Sequence, residues 1–267
     1  MLTVRPVFLG DGVTLADVTC RHDRGRGRVE PALARMLVLV RRGCFTRNAN
    51  GVMSVLDPTT ACFVNPGDEQ RYDHPHHDGD DCTAIGVDAT LASAVHGGEP
   101  DLPVGVVPIS PALDLAHRTL LAEARRGGDE HQLYERALRL IAAVLESASP
   151  SRVASGSPGG ARARHALAAA AREALAERPE RTLTELAREL TVSPHHLSRV
   201  FSAITGHTIS RHRMRLRTRA VLERLAAGED DLARLAADLG FTDQSHLCRV
   251  VRSESDVPPS VLRRLLT

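Results

Sequence analysis

Two short segments of this chain carry side chains that are suited to hydrogen bonding with the edges of DNA bases. Arginine forms bidentate hydrogen bonds with guanine in the major groove, and glutamine does so with adenine. Serine and histidine are compact groups that can also donate or accept at a base edge. We therefore predict base reading at two places, by His195, His196, Ser198, Arg199 and Ser202 and, about 50 residues further on, by Gln244, Ser245, His246, Arg249 and Arg252.

Each polar set lies on a predicted helix whose opposite face is apolar. Ser193 is a good N-cap and Pro194 suits the first helical position. The apolar residues then recur at helical spacing, as Leu197, Val200, Phe201 and Ile204 in the first helix and Leu247, Val250 and Val251 in the second. A shorter amphipathic helix and a tight turn precede each one, at residues 182–190 and 232–239. The pattern predicts two helix-turn-helix units in tandem.

A basic segment between the two units predicts one long helix over residues 208–227, with Thr208 as its cap and Gly228 just past its end. Such a helix spans about 30 Å, close to the roughly 34 Å of one turn of B-DNA. A single chain could therefore present its two reading helices to successive major grooves. The segment also contributes alternating arginines, some of which could contact phosphates, namely Arg211, Arg213, Arg215, Arg217 and Arg219.

Residues 162–267 resemble the DNA-binding domain of the AraC/XylS family of transcription regulators. The resemblance rests on Leu186-Ala187, Ser193-Pro194, Leu197-Ser198-Arg199, Phe201, Thr205-Gly206, Arg217, Ala220, Ala236, Gly240-Phe241, Asp243-Gln244-Ser245 and Pro258-Pro259. It implies base contacts by His195, Ser198, Arg199, Gln244, Ser245, His246 and Arg249, and promoter DNA as the partner, with RNA polymerase added if the protein is an activator. The chain departs from the family at Leu247 and Val251, where aromatic residues are usual, and at Asp256, where glycine is usual.

The charge of the chain is divided between its two parts. Residues 162–267 contain 18 arginines and 13 acidic residues, while the rest contains 16 arginines and 20 acidic residues. The positive charge therefore coincides with the predicted DNA-binding part. Five cysteines without a C-x-x-C pair favour a reducing compartment. The sequence has neither a long apolar run nor a charged-then-apolar leader, so we expect a cytoplasmic protein without a membrane partner.

The remaining sequence predicts an all-β domain over residues 1–110, a helical hairpin over 111–147 and a flexible linker over 148–161. Strands are predicted at 35–40, 44–47, 52–56, 61–64 and 82–87, with a hairpin turn at Asn50-Gly51. Many short strands suggest a barrel or a sandwich. The placement of Asp57-Pro58 and of Asn65-Pro66-Gly67-Asp68 resembles the cupin-like effector domain found at the N-terminus of regulators in this family.

The predicted hairpin consists of helices at 111–126 and 129–147, each with an apolar face. The family resemblance implies that this hairpin joins two chains in a homodimer, through residues such as Leu138 and Ile141. The alternative is that its apolar face only covers the β domain of the same chain.

One segment of the β domain could hold an effector or a metal ion, through His74, His76, His77, Asp80 and Cys82. Histidine, carboxylate and thiolate suit a borderline metal such as zinc. The alternative is a polar loop at the mouth of the barrel, and we expect no cofactor. Redox sensing through Cys44, Cys62 or Cys82 is a further alternative to their burial as small apolar side chains.

Taken together, these features predict a sequence-specific DNA-binding transcription regulator, not an enzyme, that is controlled by an unknown small-molecule effector on its N-terminal domain. The alternatives are a metal-dependent cupin enzyme fused to a DNA-binding module and a metal or redox sensor. The absence of a glutamate after the His-x-His pair argues against the enzyme.

Overall fold

The computed structural model of the protein describes residues 2–21, 25–74, 79–148 and 158–267. His76, His77 and most of the predicted linker lie outside these residues. None of the described helices is both long and apolar enough to span a bilayer.

The N-terminal part is built from antiparallel strands in two sheets. In chain order the strands are β1 (Leu2–Leu9), β2 (Val13–Cys20), β3 (Gly25–Arg26), β4 (Glu30–Pro31), β5 (Met36–Arg42), β6 (Phe45–Ala49), β7 (Val52–Leu56), β8 (Thr60–Val64), β9 (Glu69–His74), β10 (Asp80–Val87) and β11 (Val106–Pro108). The first sheet has the order β1-β2-β10-β5-β8-β11, and the second has the order β3-β9-β6-β7, with β4 also paired to β9. The predicted β architecture is confirmed, although one short helix interrupts the strands within residues 1–110.

The strongest turn signal of the sequence is realised in the second sheet. Asn50 and Gly51 have φ angles of 49° and 82° and join β6 to β7, where Ala49 pairs with Val52. Positive φ at both central residues is what a two-residue type I′ turn requires. The five predicted strands correspond to β5, β6, β7, β8 and β10, whereas the long pair β1 and β2 was not singled out.

Three helices follow or interrupt the strands, α1 (Ala89–Val95), α2 (Pro111–Arg125) and α3 (Glu130–Ser147). The apolar faces of α2 and α3 pack on the first sheet in one core, where Leu120, Leu133 and Ile141 meet Leu15, Leu37 and Ile85. Ile141 is completely buried within its own chain. The expectation that Ile141 contacts a second chain is therefore wrong, because its side chain is used to cover the sheet, as the alternative held.

The C-terminal part is all helical, with α4 (Pro158–Glu177), α5 (Leu183–Glu189), α6 (Pro194–Thr205), α7 (Ile209–Ala226), α8 (Leu232–Asp238), α9 (Gln244–Ser255) and α10 (Pro259–Leu266). One core joins α4, α5 and α6 to the beginning of α7. A second core joins the end of α7 to α8, α9 and α10. The long helix α7 thus serves both units. The helix α4 begins at Pro158, four residues before the position at which we placed the start of the domain.

Candidate nucleic-acid interface

The first unit is fixed by caps at the beginning of each helix. The Thr182 hydroxyl accepts a hydrogen bond from the backbone N–H of Glu185, and the Glu185 carboxylate accepts one from the backbone N–H of Thr182. Ser193 accepts one from the backbone N–H of His196 at the start of α6. Thr191 adopts a φ of 55° in the turn between the helices. These local bonds set the angle at which α6 leaves the core.

The second unit uses aspartates for the same purpose. Asp231 caps α8, and Asp243 accepts a hydrogen bond of 2.7 Å from the backbone N–H of His246 at the start of α9. Gly240 supplies the turn between them with a φ of 70°. After α9, Asp256 occupies the left-handed conformation with a φ of 58°, a place that Gly206 takes after α6. The departure from glycine at this position therefore preserves the backbone shape.

The apolar stripes of both reading helices are buried as their spacing predicts. Leu197 and Phe201 of α6 and Leu247 and Val251 of α9 have no exposed surface. Leu247 and Val251 fill the second core although they stand where aromatic residues are usual. The polar residues lie on the other face, where His195, Arg199, Gln244, Ser245, Arg249 and Arg252 are exposed and His196, Ser198, Ser202 and His246 are half-buried.

His246 differs from the other predicted readers, because it already has structural partners. Its Nδ1 atom accepts a hydrogen bond from the backbone N–H of Thr242, and its ring packs edge-on against Phe241. By contrast, no ion pair within the described part of the chain involves Arg199, Arg249 or Arg252. Their guanidinium groups are presented to solvent, where a duplex could be contacted.

Most of the arginines of α7, some of which we expected to contact phosphates, have partners within the protein. Arg219 is 1% exposed. Arg217 donates to the carbonyl of Gly240, Arg213 donates to that of Pro179, and Arg215 lies 3.9 Å from Glu254. The alternation in sequence distributes them around the helix, so most face protein. Of the five, Arg211 is the exposed one.

Arg219 points into the β domain and its hairpin. Its Nη1 atom lies 3.2 Å from Asp114 Oδ2 on α2, and its other nitrogens donate to the carbonyls of Pro58 and Ile109. Asp114 is also 2.9 Å from Arg118 Nε. Glu223, one turn further along α7, pairs with Arg118 and, at 3.1 Å, with Arg41 of β5. Buried charges of both signs therefore join α7 to the N-terminal part.

A second contact joins α4 to the loop between β7 and β8. Arg172 lies 2.7 Å from the fully buried carboxylate of Asp57, and His212 of α7 lies 3.6 Å from the same carboxylate. Burial by itself would raise the pKa of Asp57, but the charge of Arg172 and the neighbouring His212 hold it well below its ordinary value of 3.8. Burial opposes ionisation of Asp114 too, and Arg118 and Arg219 hold its pKa below the ordinary value.

A cavity of about 270 Å³ opens beside these ion pairs, at the boundary between the two parts. Its walls come from the β domain, from the end of α4 and from α7. They include Arg41, Arg42, Gly43, Pro58, Ala176, Pro179, Leu216, Ala220, Glu223, Arg224 and Leu239. We expected an effector to bind near residues 74–82. This cavity between the two parts is an alternative place for it.

The predicted histidine, carboxylate and thiol residues are partly brought together in the β domain. His74 Nε2 lies 2.7 Å from Asp80 Oδ2, and Cys82 Sγ lies 3.3 Å from Asp80 Oδ1. Sequence reasoning missed Cys20, whose thiol belongs to the same cluster. It equally missed Asp57, Asp114 and Glu223. Apart from Arg118, which lies four residues after Asp114, the arginines that pair with these carboxylates lie far away along the chain, so no local pattern marks them.

Comparison with known proteins agrees with the C-terminal geometry. A family model described as a helix-turn-helix domain matches residues 186–265. A search of the curated proteins gives no match to this chain.

Among solved structures, an apo variant of ToxT from Vibrio cholerae is 11% identical with a TM-score of 0.40, over 97% of this chain and 100% of that one. The Cnp3 cupin domain of Schizosaccharomyces pombe is 13% identical with a TM-score of 0.31, over 36% and 71%. The C-terminal domain of AraT, a response regulator from Geobacillus stearothermophilus, is 24% identical with a TM-score of 0.32, over 43% and 88%.

The capped helices, the buried stripes and the family match thus converge on the C-terminal part. The chain carries a helix-turn-helix domain over residues 186–265 behind a β domain of two antiparallel sheets, and it is a DNA-binding transcription regulator.

Proposed function

We propose that this regulator is controlled by a small molecule that binds in the cavity between the β domain and α7. The observation that carries the proposal is the position of the cavity, because its walls come from both parts of the chain and Glu223 and Arg41 line it while also joining the two parts. A ligand that touches both walls binds the docked arrangement more tightly than a separated one. It therefore shifts the population towards the docked arrangement.

The lining of the cavity favours a ligand with an apolar body and one negative charge. Leu216, Ala220 and Pro58 offer apolar surface, and the cavity also has three guanidinium groups, those of Arg41, Arg42 and Arg224. Each of these groups pairs with a carboxylate of the chain, so the carboxylate of a ligand would bind by replacing such a partner. Arginine is the side chain best matched to a carboxylate, since it can bind it in a bidentate way. Small organic acids are therefore the class that we propose.

Hexanoate and benzoate, with hexanol and benzyl alcohol as their uncharged counterparts, test this proposal. The acids should raise the melting temperature of the full-length protein, since a ligand that binds only the folded state stabilises it by mass action. In Ala220→Leu, whose larger side chain enters the cavity, the affinity should fall at least about tenfold, or roughly 1.4 kcal/mol. Ala227→Leu, at the exposed end of α7, is the matched control. Equal binding to Ala220→Leu or to the isolated fragment 162–267 would place the ligand elsewhere.

We infer that the duplex is read by the outward faces of α6 and α9 in successive major grooves of promoter DNA. Support comes from the exposed Arg199, Gln244 and Arg249 and from the rigid connection through α7. Because the target is promoter DNA, we propose that the protein acts in the cytoplasm, and that it contacts RNA polymerase if it activates transcription. The operator can be obtained by selection from a random-sequence duplex library with the purified protein.

A homodimer remains our proposal for the assembly, with the partly exposed apolar residues of α3 as the contact. Tyr134 and Leu138 are half-buried and pack against the edge of the β-domain core of their own chain. Leu138→Asp should yield folded monomers, because an unpaired carboxylate in an interface costs several kcal/mol. Ile141→Asp should instead unfold the β domain, since its side chain lies in the core. Light scattering and circular dichroism separate the two results, and a Leu138→Asp protein that stays dimeric would rule out this contact.

We propose no catalytic activity for the β domain. The family model that matches the chain covers the helix-turn-helix part, and no glutamate stands a few residues after the His74-x-His76 pair of the β domain. The enzyme alternative is tested by assaying metal-loaded protein for oxygen consumption with small organic acids. Turnover that is lost in His74→Gln would revive it.

A further inference from the structure

The end of the β domain that lies between its two sheets holds a cluster of three different ligand types. One atom each from the Cys20 thiol, the His74 imidazole and the Asp80 carboxylate lie within 4.8 Å of one another. All three residues are less than a tenth exposed. Thiolate, imidazole and carboxylate are the three protein groups that bind zinc, and ligand atoms at about 2.0–2.3 Å from one ion lie within that limit. The hydrogen bond of 2.7 Å between His74 Nε2 and Asp80 Oδ2 would open when the ion binds.

The backbone fixes this arrangement. Cys20 and Asp80 stand directly opposite each other where β2 pairs with β10, and His74 ends β9 in the other sheet. Gly79, with a φ of 65°, lets the chain pass so close that an added Cβ would lie 2.0 Å from the Cys20 carbonyl oxygen. An added Cβ at Gly43 would lie 2.8 Å from Asp80 Cα. The strands that carry two of the three residues are thus held together by close backbone approach, not by long flexible side chains.

The charge balance at Asp80 differs from that of the other buried carboxylates. Asp57 has Arg172, Asp114 has Arg118 and Arg219, and Asp81 has Arg42 and Arg21. Among the described residues, the contacts to the Asp80 carboxylate come from His74 Nε2 and Cys82 Sγ. A carboxylate that is removed from water needs a compensating positive charge. At Asp80 that charge can be supplied by the imidazolium form of His74, or by a bound cation to which His74 and Asp80 are both ligands.

We propose that Cys20, His74 and Asp80 bind a divalent metal ion of the zinc class, with solvent at the fourth position. Cys82 acts as a positioning residue, because its thiol donates to Asp80 Oδ1 and orients the carboxylate. Because the three ligands come from both sheets, the bound ion would stabilise the packing of the two sheets at this end of the β domain. The site adjoins the cavity beside α7, since Gly43 lines that cavity and packs against Asp80. The metal proposal does not depend on the ligand proposed for the cavity.

Cobalt(II) is the probe for this site, because tetrahedral cobalt with a thiolate ligand absorbs visible light and gives a sulfur-to-metal charge-transfer band. Full-length protein freed of metal with a chelator should bind one cobalt ion with that spectrum, and zinc should displace it. Cys20→Ser should abolish the charge-transfer band. His74→Gln and Asp80→Asn should weaken zinc binding by more than the roughly 10- to 100-fold typical of changes outside the ligand set. Zinc should also raise the melting temperature of the wild type and not that of Cys20→Ser.

Two variants at residues outside the proposed ligand set serve as matched controls. Cys248→Ser changes a half-buried thiol on α9, and Asp81→Asn changes the neighbouring carboxylate, which faces arginines instead of the cluster. Both should bind cobalt like the wild type. Circular dichroism of each metal-free variant shows whether it is folded. A folded wild type that gives no thiolate band, or a band that survives in Cys20→Ser and is lost in Cys248→Ser, would overturn the proposal.

Discussion

Two groups of arginines in the same domain have opposite environments. Arg199 and Arg249 lie exposed on the reading helices and have no acidic partner among the described residues. Arg172, which is half-buried, and Arg219, which is buried, form ion pairs with Asp57 and Asp114 of the N-terminal part. One group is available to DNA, whereas the other fastens the DNA-binding domain to the rest of the chain. Residue type alone does not distinguish these two uses.

The comparison changes the meaning of the charge division along the chain. The excess of arginine in residues 162–267 and the excess of acid in the rest suggested a phosphate-binding surface. Part of that excess instead forms ion pairs between the two parts, so less of it is free for DNA than the count implies. The acidic balance of the N-terminal part is correspondingly used for docking.

The largest effect should come from breaking a buried pair. Asp114→Ala leaves Arg118 and Arg219 buried without their shared carboxylate, and the loss of one partner of a buried pair typically costs about 3–5 kcal/mol. Urea unfolding of the full-length protein measures this loss. The matched control is Glu135→Ala, which removes an exposed pair with Arg139 on α3 and should cost about 0.5 kcal/mol or less.

The isolated fragment 162–267 tests whether Arg219 stabilises the contact between the two parts or its own domain. In the fragment 162–267 Asp114 is missing, so Arg219→Ala should change stability by less than about 1 kcal/mol, as ordinary surface substitutions do. In the full-length protein the same substitution leaves Asp114 with one arginine fewer and should be clearly destabilising. Equal destabilisation of both would mean that Arg219 stabilises its own domain, and the division into two groups of arginines would be wrong.

Acid should weaken the docking in a defined direction. The pKa values of Asp57 and Asp114 lie below the ordinary value of 3.8 in the folded protein. Their contribution is therefore complete above about pH 5 and falls as the pH drops below 3.8 towards the folded values. Unfolding free energies measured from about pH 6 to about pH 2.5 should decline more steeply for the wild type than for Asp114→Asn. Parallel profiles would show that Asp114 is not ion-paired in solution.

The exposed group should act on DNA and not on stability. Arg199→Ala and Arg249→Ala should each lose about 1–3 kcal/mol on the selected operator and change little on random DNA. Arg172→Ala, from the group that pairs with the N-terminal part, should leave the ratio between operator and random DNA unchanged. Fluorescence anisotropy at fixed salt gives the affinity of each variant and of the wild type. A loss that is equal on both DNAs would reduce Arg199 and Arg249 to phosphate contacts.

The features that were predicted correctly from the sequence depend on residues that are close together in the chain. Ser193-Pro194, the stripe from Leu197 to Phe201 and the Asn50-Gly51 turn each depend on neighbours a few residues away, and each forms as expected. What the sequence could not predict depends on distant partners. The apolar face of α3 could equally cover a second chain or its own sheet, and only the fold places Ile141 in the core.

The same limit applies to the candidate sites. The segment containing His74, Asp80 and Cys82 was visible, but Cys20 joins it only through the pairing of β2 with β10. Arg219 and Asp114 stand far apart in sequence, and nothing near either residue indicates the other. Alternation of arginines along a helix shows that they spread around it, but not which side meets protein.

The smallest expected effect belongs to Arg211, the exposed arginine at the start of α7. It stands on the same helix as Arg219 yet belongs to the accessible group, so it is available to a phosphate and not to the docking contact. Arg211→Ala should weaken binding to operator and random DNA alike and reduce the salt dependence by about one phosphate contact. The measurement is the slope of log affinity against log salt for both DNAs. An unchanged slope would show that α7 contributes no phosphate contact at this residue, which would leave DNA binding to α6 and α9 and restrict α7 to connection and docking.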